Sequence, residues 1–403
     1  MARKKSKDKG KPPSGEPGAK PKAQTNLGQA QEDPFHDNLT KLESVPTTYQ
    51  EISDFFGRFS SVPIFALRKE TFCRIERITG RPLICYVVKT NNLVPGIPAH
   101  IDNSDLIGFS DLVSMVSENQ IDVFLVSNGG SPEATERIVD LLRSRFAEIR
   151  FFIPGNAYSA ATLMTFAGDE IIMDDISTLG PIDPQLNGIP ARAILRAFEA
   201  IEDLVKKEGI QALAHYGPLI QKYDLHTLEI CKSAQELSNE LAKKWLKEFM
   251  FRNSPSESQH SDRIDKIVES FSSYDEHKSH SRSINRQQAR ETGLAVTFIE
   301  SLDPALRRLV RSLYNQYEFC FDRTGFFKNF ENSRGINWGR QAQSISVQIP
   351  MLAPPHAPAP SGSAWPPPSD QSLDRTMSLT QSLGKTGSAK PMSLFGRHEM
   401  GCY

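Results

Sequence analysis

Between Ile121 and Met173 the chain alternates apolar runs with glycine or serine turns at a spacing that leaves few folds open to it. Ile121-Asp122-Val123-Phe124-Leu125-Val126 reads as a buried strand that stops at Ser127-Asn128-Gly129-Gly130, where glycine permits a tight turn and close backbone approach. Ser131-Pro132 then opens a helix, with Ser131 as N-cap and Pro132 at the first helical position, and Ile138, Leu141 and Leu142 supply its apolar face. A second short strand, Glu148 to Ile153, ends at Pro154-Gly155; a small-residue helix begins at Ser159 and runs to Phe166; a third strand follows at Glu170 to Met173. Two successive βαβ units result, and their right-handed crossovers leave the strand-to-helix turns on one edge of a parallel sheet. Two of those turns carry Gly129-Gly130 and Ser159.

A serine at a helix N-terminus lies among unpaired N–H groups at the positive end of the helix dipole, so an oxyanion forming beside it is stabilised. Glycine across from it allows a second N–H to face the same point without a side chain in the way. Serine is also a favoured N-cap, so the pairing of the two turns, and not the serine alone, carries the inference.

At these residues the chain resembles a known family. Val126-Ser127-Asn128-Gly129-Gly130, Ala157-Tyr158-Ser159-Ala160-Ala161-Thr162, Asp169-Glu170-Ile171-Ile172-Met173 and Ser177-Thr178-Leu179-Gly180-Pro181-Ile182-Asp183-Pro184-Gln185 are similar to successive blocks of the serine dehydrogenase proteinase family. That family sits in the wider superfamily of Clp protease proteolytic subunits, signal peptide peptidase A and crotonases. The resemblance runs from about Asp105 to Asn332 and includes Ser279-His280-Ser281-Arg282-Ser283-Ile284 and Gly293-Leu294-Ala295-Val296. It implies an α/β, crotonase-like (Clp protease-like) fold: a repeated ββα core with helical decorations and disordered N- and C-terminal tails. By position it implies Ser159 as nucleophile and the glycine pair Gly129-Gly130 with Ala160 as the oxyanion site, the amides of Gly130 and Ala160 being the donors. The family usually has serine-alanine-glycine-threonine at the helix start; this chain has Ala161 in the glycine's place.

A serine hydroxyl needs a base, a histidine or a lysine of lowered pKa. The Clp subunit's histidine falls in the segment that here reads Leu179 to Gln185, which contains none. Signal peptide peptidase A uses a serine–lysine pair, and the helix expected over 191–208 ends in Lys206-Lys207, although a lysine pair there also complements the helix dipole. His280, in the block that resembles the family's histidine-bearing motif, is the other candidate, ahead of His215, His226, His260 and His277. Asp183 is either an orienting group or a turn former between prolines.

The remaining chain divides by composition. Residues 1–35 form a low-complexity basic leader expected to be disordered; 36–80 carry Tyr49, Ile52, Phe55, Phe56 and Phe59 at helical spacing, a core or oligomer contact. Residues 81–210 hold the catalytic-type core, with Pro82 to Val88 as its first strand and capping groups near Ser104-Asp105; 211–338 form a helical extension completing the domain, and 339–403 a disordered proline- and serine-rich tail. The net charge of −1 gives no reason to expect nucleic acid. The five cysteines are widely spaced without a C-x-x-C pair, which fits reduced thiols in a cytoplasmic protein and no metal site. No stretch is apolar enough to span a bilayer, no cofactor motif is present, and the turn Ser127-Asn128-Gly129-Gly130-Ser131 lacks the G-x-x-x-x-G-K-[ST] phosphate-loop pattern, so no ATPase is carried.

These observations lead to an ATP-independent serine peptidase acting on polypeptides, with homo-oligomerisation implied by the superfamily. The alternative is a non-proteolytic crotonase-fold protein, an acyl-CoA enzyme or a scaffold.

Overall fold

The computed structural model describes residues 39, 42–186, 188–253, 257–272 and 283–342. The leader at 1–35 and the tail from 343 onward therefore lie outside the described residues.

The fold is mixed α/β. Helices α1 (Tyr49–Arg58) and α2 (Ile64–Thr79) precede β1 (Leu83–Val88), α3 (Asp105–Ser114), β2 (Gln120–Val126), α4 (Pro132–Arg145) and β3 (Glu148–Ile153). The short β4 (Asn156–Ala157) leads to α5 (Ala160–Phe166), β5 (Glu170–Met173), another short strand β6 (Thr178–Leu179) and a small hairpin, β7 (Gln185–Leu186) with β8 (Ile189–Pro190). The helical extension comprises α6 (Ala191–Glu208), α7 (Leu213–Lys222), α8 (Leu225–Trp245) and α9 (Glu257–Ser272). It is followed by β9 (Ile284–Asn285), α10 (Arg286–Thr292), β10 (Val296–Phe298), α11 (Pro304–Arg323), β11 (Phe326–Asn332) and β12 (Asn337–Gln341).

Among the described residues the central sheet runs β10-β5-β3-β2-β1-β11-β12. The first five strands are parallel, and β11 and β12 close it antiparallel. β1 explains the layering. All six of its residues are buried, as a strand covered on both faces must be. Ile84, Tyr86 and Val88 face α3, α4 and α5 through Phe109, Ile138 and Leu163. Leu83, Cys85 and Val87 face α2 and α11 through Phe72, Leu313 and Tyr317.

A second small sheet, β4-β6-β9, stands beside the first. Each of β3 and β5 is thus followed by a short strand, giving the expected strand, short strand, helix repeat around α5. Ser131 caps α4 as expected, accepting from Ala134 N–H at 3.0 Å, with Pro132 as first helical residue.

Several expectations need correction. Ser104 makes no side-chain cap on α3; Asp105 instead accepts from Asp102 N–H at 3.1 Å. Within the extension the helical run breaks at Tyr223-Asp224, because Asp224 caps a new helix by accepting from Thr227 N–H. The extension expected at 211–338 is not purely helical: β10, β11 and β12 are strands of the central sheet, and β12 carries the fold to Gln341, past the boundary expected at 339. Of the N-terminal aromatics, Phe55 and Phe56 pack on Leu39, Val45 and Leu67, while Phe59 is half exposed. Cys73, Cys85, Cys231 and Cys320 are free thiols. No described helix is long and apolar enough to cross a membrane.

A buried ion pair pins β11 to α2. Arg68 Nε and Nη2 each donate to Glu331 at 2.7 Å, and the Tyr317 hydroxyl donates to the same carboxylate at 2.9 Å. Burial alone would lower the Arg68 pKa, but the Glu331 carboxylate raises it above the ordinary value. Removing one partner leaves an uncompensated buried charge. Glu331→Gln is expected to cost about 3–5 kcal/mol, read from urea unfolding. The double replacement Arg68→Met with Glu331→Leu is expected to restore most of that loss.

Candidate active site

The glycine turn after β2 and the serine turn before α5 are joined by backbone. Ser127 N–H donates to Asn156 O at 3.0 Å, and Tyr158 N–H donates to Ser127 O at 3.0 Å, so β2 extends into a parallel bridge with β4. Side chains repeat the tie: Asn156 Nδ2 donates to Asn128 Oδ1 at 2.9 Å, and Asn128 Nδ2 donates to Thr90 O at 3.2 Å. The Ser127 hydroxyl turns inward and accepts from Gly129 N–H at 3.1 Å.

Glycine at 129 is required by what it faces. Its φ is +95°, and a Cβ there would fall 2.5 Å from Tyr158 O, 2.7 Å from Ser159 Cβ and 3.0 Å from Ala160 N. The glycine turn and the serine are therefore in direct contact, as the sequence pattern requires. Gly130, at φ +152°, packs instead against the backbone of Ile101.

Ser159 does not cap its helix. Its backbone is at φ 51°, ψ −122°, and its side chain makes no capping hydrogen bond. Among the described non-glycine residues only Asn92 shares a positive φ. Such a conformation costs on the order of 1–3 kcal/mol and persists only where its surroundings enforce it. Those surroundings are on both sides. Thr162 Oγ1 donates to Ala157 O at 2.7 Å and accepts from Gly180 N–H at 3.0 Å, clamping the turn from beneath. The Tyr158 hydroxyl is 2.9 Å from Thr178 Oγ1, and the bare Gly180 lies under the Tyr158 ring. Ser159 is left partly exposed at the sheet edge.

The amides expected to serve an oxyanion are those of Gly130 and Ala160. Ala160 N–H belongs to the first turn of α5 and has no partner within the helix; neither it nor Gly130 N–H takes part in the other backbone bonds among the described residues. Ala161, standing where the family has glycine, is fully buried, and its N–H bonds Tyr158 O at 2.9 Å, so the helix takes the methyl group without opening. Nearby, the Tyr314 ring lies over Gly155, and burial raises its phenol pKa, with Glu318 and Tyr158 adding to the effect.

The candidate bases fare unequally. Lys206 is exposed and pairs with Glu202 at 2.8 Å, which raises its pKa, opposite to what a base for serine needs. Lys207 is exposed on the same last turn of α6, whose buried side is formed by Ile194 and Ile201. The two lysines thus have the setting of charges that complement a helix C-terminus, which corrects their reading as base. His280 and His277 lie outside the described residues. Asp183 is buried at 1% exposure beside Ile182, whose N–H is held by Phe271 O at 2.9 Å, so it is no surface turn former. Among the described residues no group of His, Cys, Asp and Glu is arranged to hold a metal ion. Two grooves, of about 830 and 460 Å³, lie among the N-terminal helices and the helical extension, and no residue of the serine turn lines them.

Thr162 and Ile101 were not singled out by sequence. Thr162 stands at the threonine of the serine-alanine-glycine-threonine block, which gave it no role, and Ile101 acts through its backbone alone.

The contact at Gly129 generates a specific expectation. Gly129→Ala puts a methyl group against Ala160 N, where an oxyanion would sit. Hydrolysis or acylation at Ser159 should fall by about a hundredfold or more. Stability should fall as well, by more than the strain of about 1–2 kcal/mol that a non-glycine residue carries in this backbone region, because the methyl group would meet Tyr158 O at 2.5 Å and Ser159 Cβ at 2.7 Å. Thermal unfolding beside a rate assay separates the two.

Residues 64–228 match a family model described as ClpP-like SDH-type serine proteinase. An uncharacterized protein of Methanocaldococcus jannaschii is 30% identical over 178 residues, which cover 42% of this chain and 60% of the relative. A second uncharacterized protein of that organism is 40% identical over 82 residues, 20% of this chain and 29% of its own length. The chain thus spans 60% of the length of the first relative and 29% of the second. Among solved structures, the ClpP protease catalytic domain from Plasmodium falciparum aligns at 15% identity and a TM-score of 0.29, over 49% of this chain and 81% of that one. The matched span, residues 64–228, holds the glycine turn and the serine turn together, so the chain is similar to that family over the residues that form the site.

Proposed function

We propose that this chain is a serine peptidase that cleaves polypeptides through an acyl-enzyme on Ser159. The observation that carries the reading is the backbone of Ser159 at φ 51°, ψ −122°, uncapped, with Gly129 in contact beside it. A residue whose only task was capping would take the extended backbone and accept a helix N–H, as Ser131 does. The hydroxyl of Ser159 attacks the scissile carbonyl, the carbonyl oxygen gains negative charge, and the N–H groups of Gly130 and Ala160 donate to it. Collapse expels the amine and leaves an ester on Ser159, which water then hydrolyses. No nucleotide enters the reaction.

His280 is assigned as the base. The support is its block, Ser279 to Ile284, which resembles the family's histidine-bearing motif. The buried Asp183 is assigned to orient that imidazole. The substrate is a peptide, the setting cytoplasmic, in keeping with four free thiols, and the chain self-associates, with the exposed Ile210 and Leu225 of the helical extension as the surfaces to search for the contact.

Labelling with a fluorophosphonate probe tests the reading. The wild-type protein should become covalently modified, and Ser159→Ala should not. His280→Ala should slow labelling by about a hundredfold or more, since general-base assistance contributes on the order of 10²–10⁴. Absence of labelling in the wild type, together with a rise in melting temperature on adding acyl-CoA, would instead support the non-proteolytic alternative.

A further inference from the structure

The oxyanion donor assigned to Gly130 belongs to a peptide group whose orientation is set from behind. In a trans peptide the C=O and the N–H point in opposite directions. The Gly129 carbonyl accepts from Ile101 N–H at 2.7 Å, so the Gly130 N–H of the same peptide is turned away from Ile101. Ser131 N–H donates to Ile101 O at 2.9 Å, which fixes the next peptide as well. Ile101 is fully buried, and a Cβ on Gly130 would lie 2.2 Å from its carbonyl oxygen. One residue of the loop between β1 and α3 thus decides where the donor aims.

What holds Ile101 is a buried charge cluster starting at its neighbour. Lys328 Nζ donates to Asp102 Oδ2 at 2.9 Å and to both Asp105 oxygens at 2.9 Å. Asp102 N–H donates to Asp105 Oδ2 at 3.1 Å, and the Tyr86 hydroxyl donates to the same oxygen at 2.8 Å. The side chains of Lys328 and Asp105 are both 0% exposed. The mechanism above uses none of these groups. Stability is a weak reason to keep them, because a buried ion pair is often replaced by apolar residues at no loss. Three donors converging on Asp105 do, however, leave Asp102 one arrangement, and Ile101 is peptide-bonded to Asp102.

We propose that Lys328, acting through Asp102 and Asp105, is a positioning residue for the oxyanion site: it anchors the loop that holds the Gly129–Gly130 peptide with its N–H toward Ser159. The proposal rests on the peptidase reading for its consequence in rate, but not for its consequence in structure, and the two are measured separately.

Lys328→Met alone strands the buried Asp105 carboxylate and risks unfolding, so the test uses Lys328→Met with Asp102→Asn and Asp105→Asn, which removes the three charges together and leaves the partly exposed Arg340, 3.9 Å from Asp105, beside the site. Amide hydrogen exchange on the full chain reads the clamp. In the triple variant the amides of Ile101 and Ser131 should exchange at least tenfold faster, while the amides of β2 and β3 keep their protection. Fluorophosphonate labelling at Ser159 then reads the consequence and should slow by about tenfold or more, a part of what loss of one oxyanion donor costs. With a peptide substrate, kcat should fall while KM stays within about twofold, because substrate and transition state differ in the charge on the oxygen; a general loss of folding would not give that split. Unchanged exchange at Ile101 and Ser131 overturns the proposal. Faster exchange with unchanged labelling also overturns it, since the clamp would then have no hold on the donor. If the wild-type protein does not label at all, the peptidase reading fails, and the catalytic half of the proposal with it, while the exchange data still report whether Lys328 fixes the turn.

Discussion

Two backbone hydrogen bonds between Ser127 and the Asn156–Tyr158 segment bring the ends of β2 and β3 to one point, and the site depends on them. Adjacent parallel strands lie about 4.8 Å apart, yet sheet twist separates the chains that leave them. The bridge prevents that separation for the few residues that matter. Past it, one chain turns through Gly129 and the other through Ser159, so close that glycine is the residue that fits at 129. The strained backbone of Ser159 is then held by Thr162 and Gly180 on one side and by the glycine turn on the other. A serine whose backbone is held in a sparsely populated conformation and whose side chain makes no capping hydrogen bond is not there to cap α5.

β11 has a part in this although it lies two strands from the turn. Lys328 and Glu331 sit at even and odd positions along it, so they face opposite sides of the sheet. Glu331 meets Arg68 and Tyr317 beneath α2 and α11, whereas Lys328 meets Asp102 and Asp105 beside α3. Slipping the strand by one residue would bury each charge against the wrong layer, which makes the two ion pairs a device for register. The register in turn pairs Val88 with Lys328 and sets the start of the loop that leads to Ile101.

Much of the core could be read from residues alone because its signals are local. Apolar runs of strand length, Ser131-Pro132, and Gly293, which ends α10 in a left-handed conformation, each act within a few residues, and the strands and helices from 120 to 173 formed where those signals put them. Ser159 and Gly129-Gly130 were found the same way, by residue type at the turns. The strands β10 and β11-β12 were not, since Phe326-Phe327-Lys328-Asn329-Phe330-Glu331-Asn332 buries two charges and two asparagines that read as polar until the partners of Lys328, Glu331 and Asn332, 200 or more residues away, are known. The lysines at the end of α6 misled for the opposite reason: their place after the serine helix suits a basic catalytic group, but both are exposed and Glu202 raises the pKa of Lys206. The parts played by Thr162 and Ile101 went unread because the family block gives the threonine no role and Ile101 acts through its main chain.

The most direct measurement is a crystal structure of the protein after reaction with a fluorophosphonate. The adduct's phosphorus should be bonded to Ser159 Oγ, and its free oxygen should lie about 2.7–3.1 Å from both Gly130 N and Ala160 N. An adduct on another residue, or one whose oxygen points to solvent with both amides unengaged, would contradict the proposed chemistry.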